Sequence, residues 1–420
     1  MKKIIPLLFI AILLVQFIPQ ESANAETPNA FETSKMIFNQ KFIAEKHIDK
    51  VISSRKVNPK DHFGLNGNFK SALDIMFLST LEYQAERKND PIAPTVLNEL
   101  EKLVREVYLD LFVDGQDVKY WESNAYVSPT LGLLTQSLLM VDHYNKPRFA
   151  INSTKTRVDI MLNGQGDGRG FMYWLNNTYL TKGNSNLKNN YYYQDVRGLA
   201  SLPVSADGYA KGTFSINIPA LHAGALALDA QFKRERGVTE NPFRDRIVEI
   251  GQYLKYLNYG PSSYKLSKVG GNRIENGVHE GDMASAGYTS WAAMSLAMIA
   301  HGTTTTGSLS EKPDSMFITE AKLMQEGFKE TYRRTNPQSI PTYFYGFGTS
   351  PVGGDAREYL YSMAWTGDQS FITWLDDINI VKHGSGSSPV ILRVANSSEQ
   401  NFHRALSGLT AGMHKNIHFK

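Results

Sequence analysis

The sequence predicts a mainly α-helical protein. Apolar residues recur at helical spacing in one segment after another, helix-starting residues stand ahead of several of them, and the strict alternation that marks strands is scarce. Hydrophobic residues make up 42% of the 420 residues and charged residues 20%, enough apolar material to bury a core and too little charge for a disordered chain.

Taken in chain order, Met36 to Ser53 sets Ile37, Phe38, Phe42, Ile48, Val51 and Ile52 near one helix face. Phe69, Leu73, Met76, Phe77 and Leu81 form a second stripe. Val96, Leu97, Leu100, Leu103, Val104, Val107 and Leu111 form the third and strongest. Ser128-Pro129 supplies an N-cap and a first-turn proline ahead of Leu131, Leu134, Leu138 and Leu139. Pro219 opens a helix through Leu221, Ala225, Leu228 and Phe232. Asn241-Pro242 repeats the cap device ahead of Phe243, Ile247, Ile250, Leu254 and Leu257, with Gly260 past the end. Ser290 to Ala300 is small and apolar on nearly all sides and is expected to be buried. Further helical stretches cover about 317–332, 355–365 and 399–413, and the two candidate strands are Tyr343–Phe347 and Val390–Val394.

The ends and the composition narrow the function. Lys2-Lys3, the apolar run Ile4 to Pro19 and Ala23-Asn24-Ala25 have the form of a cleaved export signal over residues 1–25, with an apolar run too short for a membrane span. Residues 26–420 are expected as a single helical (α/α) domain, secreted or periplasmic, and off the membrane once the signal is cleaved. Lys+Arg 44 against Asp+Glu 41 leaves +3, too little charge on this length for a nucleic-acid binder. A cysteine count of 0 excludes disulfides, thiol nucleophiles and zinc–thiolate sites. Outside the cytoplasm, nucleotide-dependent chemistry gives way to the handling of external polymers.

The connections are unequal. Asn145 to Thr213 reads as one long connection rich in Gly, Asn and Tyr, and long loops on a rigid frame usually carry function. Helical hairpins with long loops at one end resemble the (α/α) toroid of secreted polysaccharide lyases and inverting glycoside hydrolases. Prenyltransferase and terpene-cyclase toroids share that architecture but need aspartate-rich or protonating motifs, and only Asp376-Asp377 is offered here. The resemblance implies a polysaccharide substrate.

The densest polar-aromatic cluster is Tyr191-Tyr192-Tyr193-Gln194-Asp195-Val196-Arg197-Gly198. Sugars stack on aromatic rings and bond to paired charged groups, which suits such a run. Trp174, Tyr209 and Asn217, with Trp121 from an earlier connection, extend the candidate binding set, and Asp207 and His222 extend the candidate catalytic one. Gly277-Val278-His279-Glu280-Gly281-Asp282 reads as a glycine-bounded turn bearing two carboxylates. With Ala286-Gly287-Tyr288 and the small helix beyond, it is distantly similar to the acid-bearing Ser/Thr-Glu-Gly segment of family 8 glycoside hydrolases, although its spacing and its late position differ.

Hydrolysis needs one carboxyl group to protonate the leaving oxygen and one to activate water, which Glu280 with Asp195, Asp207 or Asp282 can supply. A β-eliminating lyase needs a uronate neutraliser, a base and an acid, for which Arg197, Asn217, His222 and the tyrosines are available. Hydrolysis is the expectation. A uronate lyase and a non-catalytic glycan-binding protein are the alternatives. No metal or cofactor is expected: Asn163 to Trp174 starts like an EF-hand loop but ends on Trp174 where an acid belongs, and no HExxH, Walker loop or GxSxG occurs. His143, His301 and His403 lie on or just after expected helices and read as core or surface residues rather than ligands.

Overall fold

A computed structural model describes residues 30–57, 65–112, 129–166, 169–173, 175, 217–238, 242–243, 273–275 and 278–280, and helical positions 402, 403, 406, 409, 410, 413 and 417. Among them helix dominates, as the periodicity predicts. The elements are α1 (Ala30–Ile37), which runs into a π-helical stretch Phe38–Ala44, α2 (His47–Val57), α3 (Leu65–Arg87), α4 (Ala93–Leu111) and α5 (Pro129–Met140), itself continued by a π-helical turn Val141–Asn145. They are followed by α6 (Ser153–Asn163), the single turn α7 (Phe171–Tyr173), α8 (Asn217–Glu235) and the paired strands β1 (Arg273–Glu275) and β2 (Val278–Glu280). The expected helices at 290–300, 317–332 and 355–365, and the candidate strands at 343–347 and 390–394, lie outside the described residues. No helix among the described residues is long and apolar enough to cross a membrane.

Side-chain pairings give the direction of each helix. Ser79 and Glu82 of α3 meet Asn145, Tyr83 stacks on Tyr144 at 4.5 Å, and Glu86 pairs with Arg148, so α3 and α5 run parallel. Gln136 Nε2 donates to the Leu221 carbonyl at 2.8 Å, and His143 meets Glu235 at 2.7 Å, so α5 and α8 are parallel too. The short 88–92 connection turns α4 back against α3. α6 lies along α4 in the same direction, with Asn152 bonded to Glu101 and Gln165 to Tyr108. Lys35 reaches Asp90 and His47 reaches Asp74, which sets α1 antiparallel to α3 and brings the start of α2 to the middle of α3. At the far end of the sequence, His403 faces Asp74 and Gln84 Nε2 donates to the Met413 carbonyl at 2.8 Å. The helical positions 402, 403, 406, 409, 410 and 413 therefore run beside α3 and parallel to it.

Two layers result. α3, α5, α8 and the C-terminal helical positions from 402 form the inner one, whereas α1, α2, α4 and α6 form the outer one. Burial follows this division. Every residue from Ser71 to Glu82 and from Thr130 to Val141 is buried, whereas α4 keeps a wet face on which Leu109 is half exposed. An outer helix needs one apolar stripe, and α4 has the clearest one in the sequence. An inner helix is enclosed on all sides, so the stripe read at Phe69 to Leu81 captures only part of what α3 buries. Three buried hydroxyls are satisfied within their own helices: Thr80 donates to the Met76 carbonyl, Thr135 to Leu131 and Ser137 to Leu134.

Two local departures from the sequence reading have clear causes. The stripe from Met36 to Ser53 is two helices rather than one, because the chain widens into the π-helical stretch and then breaks at Lys46, whose φ is 52°. The long connection expected after Asn145 contains α6. Its cap is Asn152, whose side chain accepts from the Lys155 N–H at 3.0 Å, and it buries Thr154, Val158, Met161 and Leu162. Gly164, at φ 86°, ends α6, which accounts for a glycine in the stretch that starts like a calcium loop.

Close approach of α5 to α8 depends on Gly132. A Cβ there would stand 2.7 Å from the Leu221 carbonyl carbon and 2.8 Å from His222 Cδ2. Gly132→Ala is therefore expected to lower stability by about 1–3 kcal/mol, the usual cost of overpacking, read as a reduced urea midpoint. An unchanged midpoint would mean that the two helices do not meet there.

At the other end of the same seam, Asp142 accepts from Lys146 at 2.7 Å and from Arg236 at 3.0 Å. Burial by itself raises its pKa, but Lys146 and Arg236 outweigh that and hold the carboxyl below the ordinary aspartate range. A depressed folded-state pKa gives a contribution that is present above the unfolded value, about 3.9, and lost as pH falls through the folded value. Asp142→Asn should cost about 1 kcal/mol at neutral pH, because both cations are partly exposed. Its gap from wild type should close as the solution is acidified below about pH 4. A gap independent of pH would refute the ion-pair account.

Candidate functional site

The residues singled out in the sequence are distributed unevenly over the described structure. Asp195, Arg197, Asp207, Asp282, Trp121, Trp174, Tyr191, Tyr192, Tyr193 and Tyr209 lie outside it. Asn217 is the first residue of α8. His222, one turn further along, is buried in the α5–α8 seam beside Gly132. Glu280 is the last residue of β2, directly across from Arg273 in the antiparallel pair, and His279 is across from Ile274. The segment read as a glycine-bounded turn is thus in part a strand. The dipeptide between the strands, Asn276-Gly277, is the sequence preferred in two-residue hairpin loops, a signal that was present and passed over.

A group of metal-ligand-type side chains among the described residues was not predicted. His47 at the start of α2, Asp74 in the middle of α3 and His403 in the C-terminal helical residues converge on one point, with one ligand-capable atom from each lying within 4.8 Å of the others. His47 Nε2 donates to Asp74 Oδ2 at 2.9 Å, and His403 Nε2 stands 3.5 Å from Asp74 Oδ1. Asp74 has no solvent exposure, whereas the His47 side chain keeps 14% of its surface in water, so the cluster has one wet edge.

Aromatic rings enclose the rest. Phe42 and Phe402 meet the His47 ring edge-on at centroid distances of 5.0 and 4.8 Å. Phe402 packs on His403 at 5.1 Å, and Phe77 stacks on Phe42 at 5.5 Å. In such a setting burial alone would push a carboxyl pKa up. The facing imidazoles of His47 and then His403 outweigh it and keep Asp74 well below the usual carboxylate range. Asp74 is therefore an anion sealed in an apolar pocket, held by two imidazoles. Such a group can fix helices in place, hold a proton between two bases, or join both histidines in binding a cation.

Two further buried networks lie at the opposite end of α3 and α5. Glu82, fully enclosed, accepts from Asn145 Nδ2 at 2.7 Å and pairs with Arg148 at 3.2 Å, while burial raises its pKa. His143 stacks flat on Phe232 at 4.0 Å and bonds to Glu235. Both join inner helices to each other.

The wiring also fixes where the long connections attach. The N-terminal ends of α3, α5 and α8 and the C-terminal ends of α4 and α6 share one end of the layered helices, as the contacts of Gly132 with Leu221 and of Phe112 with Phe171 require. The connection between Phe112 and Pro129 begins and finishes there, and so does the one between Leu175 and Asn217. Comparison with known family models, curated proteins and solved structures gave no match to this chain.

Proposed function

We propose that this chain is an exported carbohydrate-active enzyme that cleaves a polysaccharide by acid/base hydrolysis, on a helical frame arranged as an (α/α) toroid. One observation carries the reading: both long connections, the one with Trp121 and the one with the Tyr191–Arg197 run, are anchored at the same end of the inner helices. A frame of parallel inner helices and oppositely directed outer helices leaves its long connections on one rim. A rim supplied with aromatic rings and carboxylates suits a sugar polymer. The parallel course of the C-terminal helical positions His403 and Met413 beside α3 supports ring closure, since the last inner helix of a toroid returns to the first.

In this reading Glu280 protonates the leaving glycosidic oxygen, and Asp195, Asp207 or Asp282 activates the water. The tyrosines 191–193, Tyr209, Trp121 and Trp174 stack on sugar rings, and Asn217, at the N-terminus of α8, bonds to substrate hydroxyls. The export signal at residues 1–25 gives the enzyme access to an external polymer.

The test is a panel of neutral and uronate polysaccharides incubated with the mature chain, following reducing ends and the ultraviolet absorbance of unsaturated uronates in parallel. Hydrolysis is expected to release reducing ends with no unsaturated product. Glu280→Gln should keep the fold and lower turnover about 10²-fold or more, the contribution of a positioned proton donor. Unsaturated product that survives Glu280→Gln and is lost in Arg197→Ala would replace hydrolysis by β-elimination. Binding without cleavage of any polymer would leave a glycan-binding protein.

A further inference from the structure

We propose that His47, Asp74 and His403 form a site for one divalent transition-metal ion of the zinc class, which staples the outer helix α2, the inner helix α3 and the C-terminal helical residues together. The donor set is two imidazole nitrogens and one carboxylate, the mixture that zinc-class ions take, with a fourth position left to water. The spacing already approaches what coordination needs. Ligand atoms at about 2.0–2.1 Å around a tetrahedral ion stand roughly 3.4 Å apart, and here His47 Nε2 is 2.9 Å from Asp74 Oδ2 while His403 Nε2 is 3.5 Å from Asp74 Oδ1, one histidine on each carboxylate oxygen. All three donors lie within 4.8 Å of one another, so small side-chain shifts centre an ion among them.

The surroundings favour a cation. Asp74 is wholly buried, and its Oδ1 has no hydrogen bond among the described residues although it points at the space shared with His403. An enclosed carboxylate whose second oxygen has only a 3.5 Å ion pair with His403 gains more from a divalent ion than from a neutral imidazole. The rings of Phe42, Phe77 and Phe402 exclude water on the inner side, which strengthens ion–ligand attraction and holds the histidine rings in place. The part-exposed edge of His47 is the entry path and the position for the water ligand. This site is separate from the candidate polysaccharide residues and does not rest on their roles.

The experiment takes the mature chain, strips it with a chelator and titrates it with Zn²⁺ alone, following heat, thermal unfolding and bound metal per chain. Co²⁺ is added in a parallel series for its visible absorption. One Zn²⁺ per chain and a raised unfolding temperature are expected, with a Co²⁺ spectrum of low coordination number. His47→Gln and His403→Gln should each weaken Zn²⁺ binding by about 100-fold or more, since even residues behind the direct ligands contribute about 10–100-fold. His143→Gln, in a different buried pair, should bind as wild type. Absence of Zn²⁺ binding by the stripped wild type would overturn the proposal, as would unchanged affinity in folded His47→Gln and His403→Gln. Where a variant fails to fold, anomalous diffraction at the zinc edge from wild-type crystals decides: a peak between His47, Asp74 and His403 supports the site, and any other result overturns it.

Discussion

The arrangement of the described helices depends on one buried anion. Asp74 sits in the middle of α3 without contact with water, and the groups that compensate its charge come from the two ends of the sequence, His47 from α2 and His403 from the C-terminal helical residues. Removing a carboxylate from water costs several kcal/mol even after relaxation, and partners must offset that cost with good geometry. Among the described residues the two histidines meet α3 at Asp74, whereas Glu82, the other enclosed carboxylate of that helix, is compensated separately by Asn145 and Arg148. The anion therefore specifies register: it fixes where His47 of α2 and the C-terminal helical residue His403 sit along α3. The aromatic contacts of Phe42, Phe77 and Phe402 add apolar burial around the same point, but apolar contact is not directional and would tolerate small shifts.

The rest of the inner layer repeats that logic at lower cost. Asn145 joins Ser79 and Glu82, Gln136 reaches the Leu221 carbonyl and Gln84 reaches the Met413 carbonyl, so each inner helix is tied to its neighbour by a directional bond inside an apolar seam. Gly132 then lets α5 and α8 approach closely beside His222. With the inner helices parallel and in register, their N-terminal ends fall together, and that places the anchors of both long connections on one side. The link from buried chemistry to a candidate substrate rim thus passes through helix register.

Much of the frame was legible in the sequence. The stripe of α4 and the start of α5 at Pro129 were readable because each signal is local: an amphipathic period in one case, a first-turn proline in the other. α6 was not, because its apolar face is thin and its start rests on a single asparagine at position 152. The short strands at 273–275 and 278–280 were missed because three residues carry no periodicity, although Asn276-Gly277 was a usable hint. The His47–Asp74–His403 cluster had no local signal of any kind. Its members come from three segments widely separated in the chain, no spacing motif links them, and a histidine weighed singly on a helix reads as packing. The reading of His403 as a core or surface residue is narrowed by its burial to the core, and it says nothing of the company the residue keeps.

The central claim is that the Asp74 anion couples the first inner helix to the C-terminal helical residues, and a double-mutant cycle tests it most directly. Unfolding free energies would be measured in urea, with a chelator present, for wild type, Asp74→Asn, His403→Gln and the double variant. The account predicts a coupling energy of about 2 kcal/mol, within the range found for residues that share one buried network. Single effects that sum to the double effect within about 0.5 kcal/mol would contradict it, because independent sites behave that way.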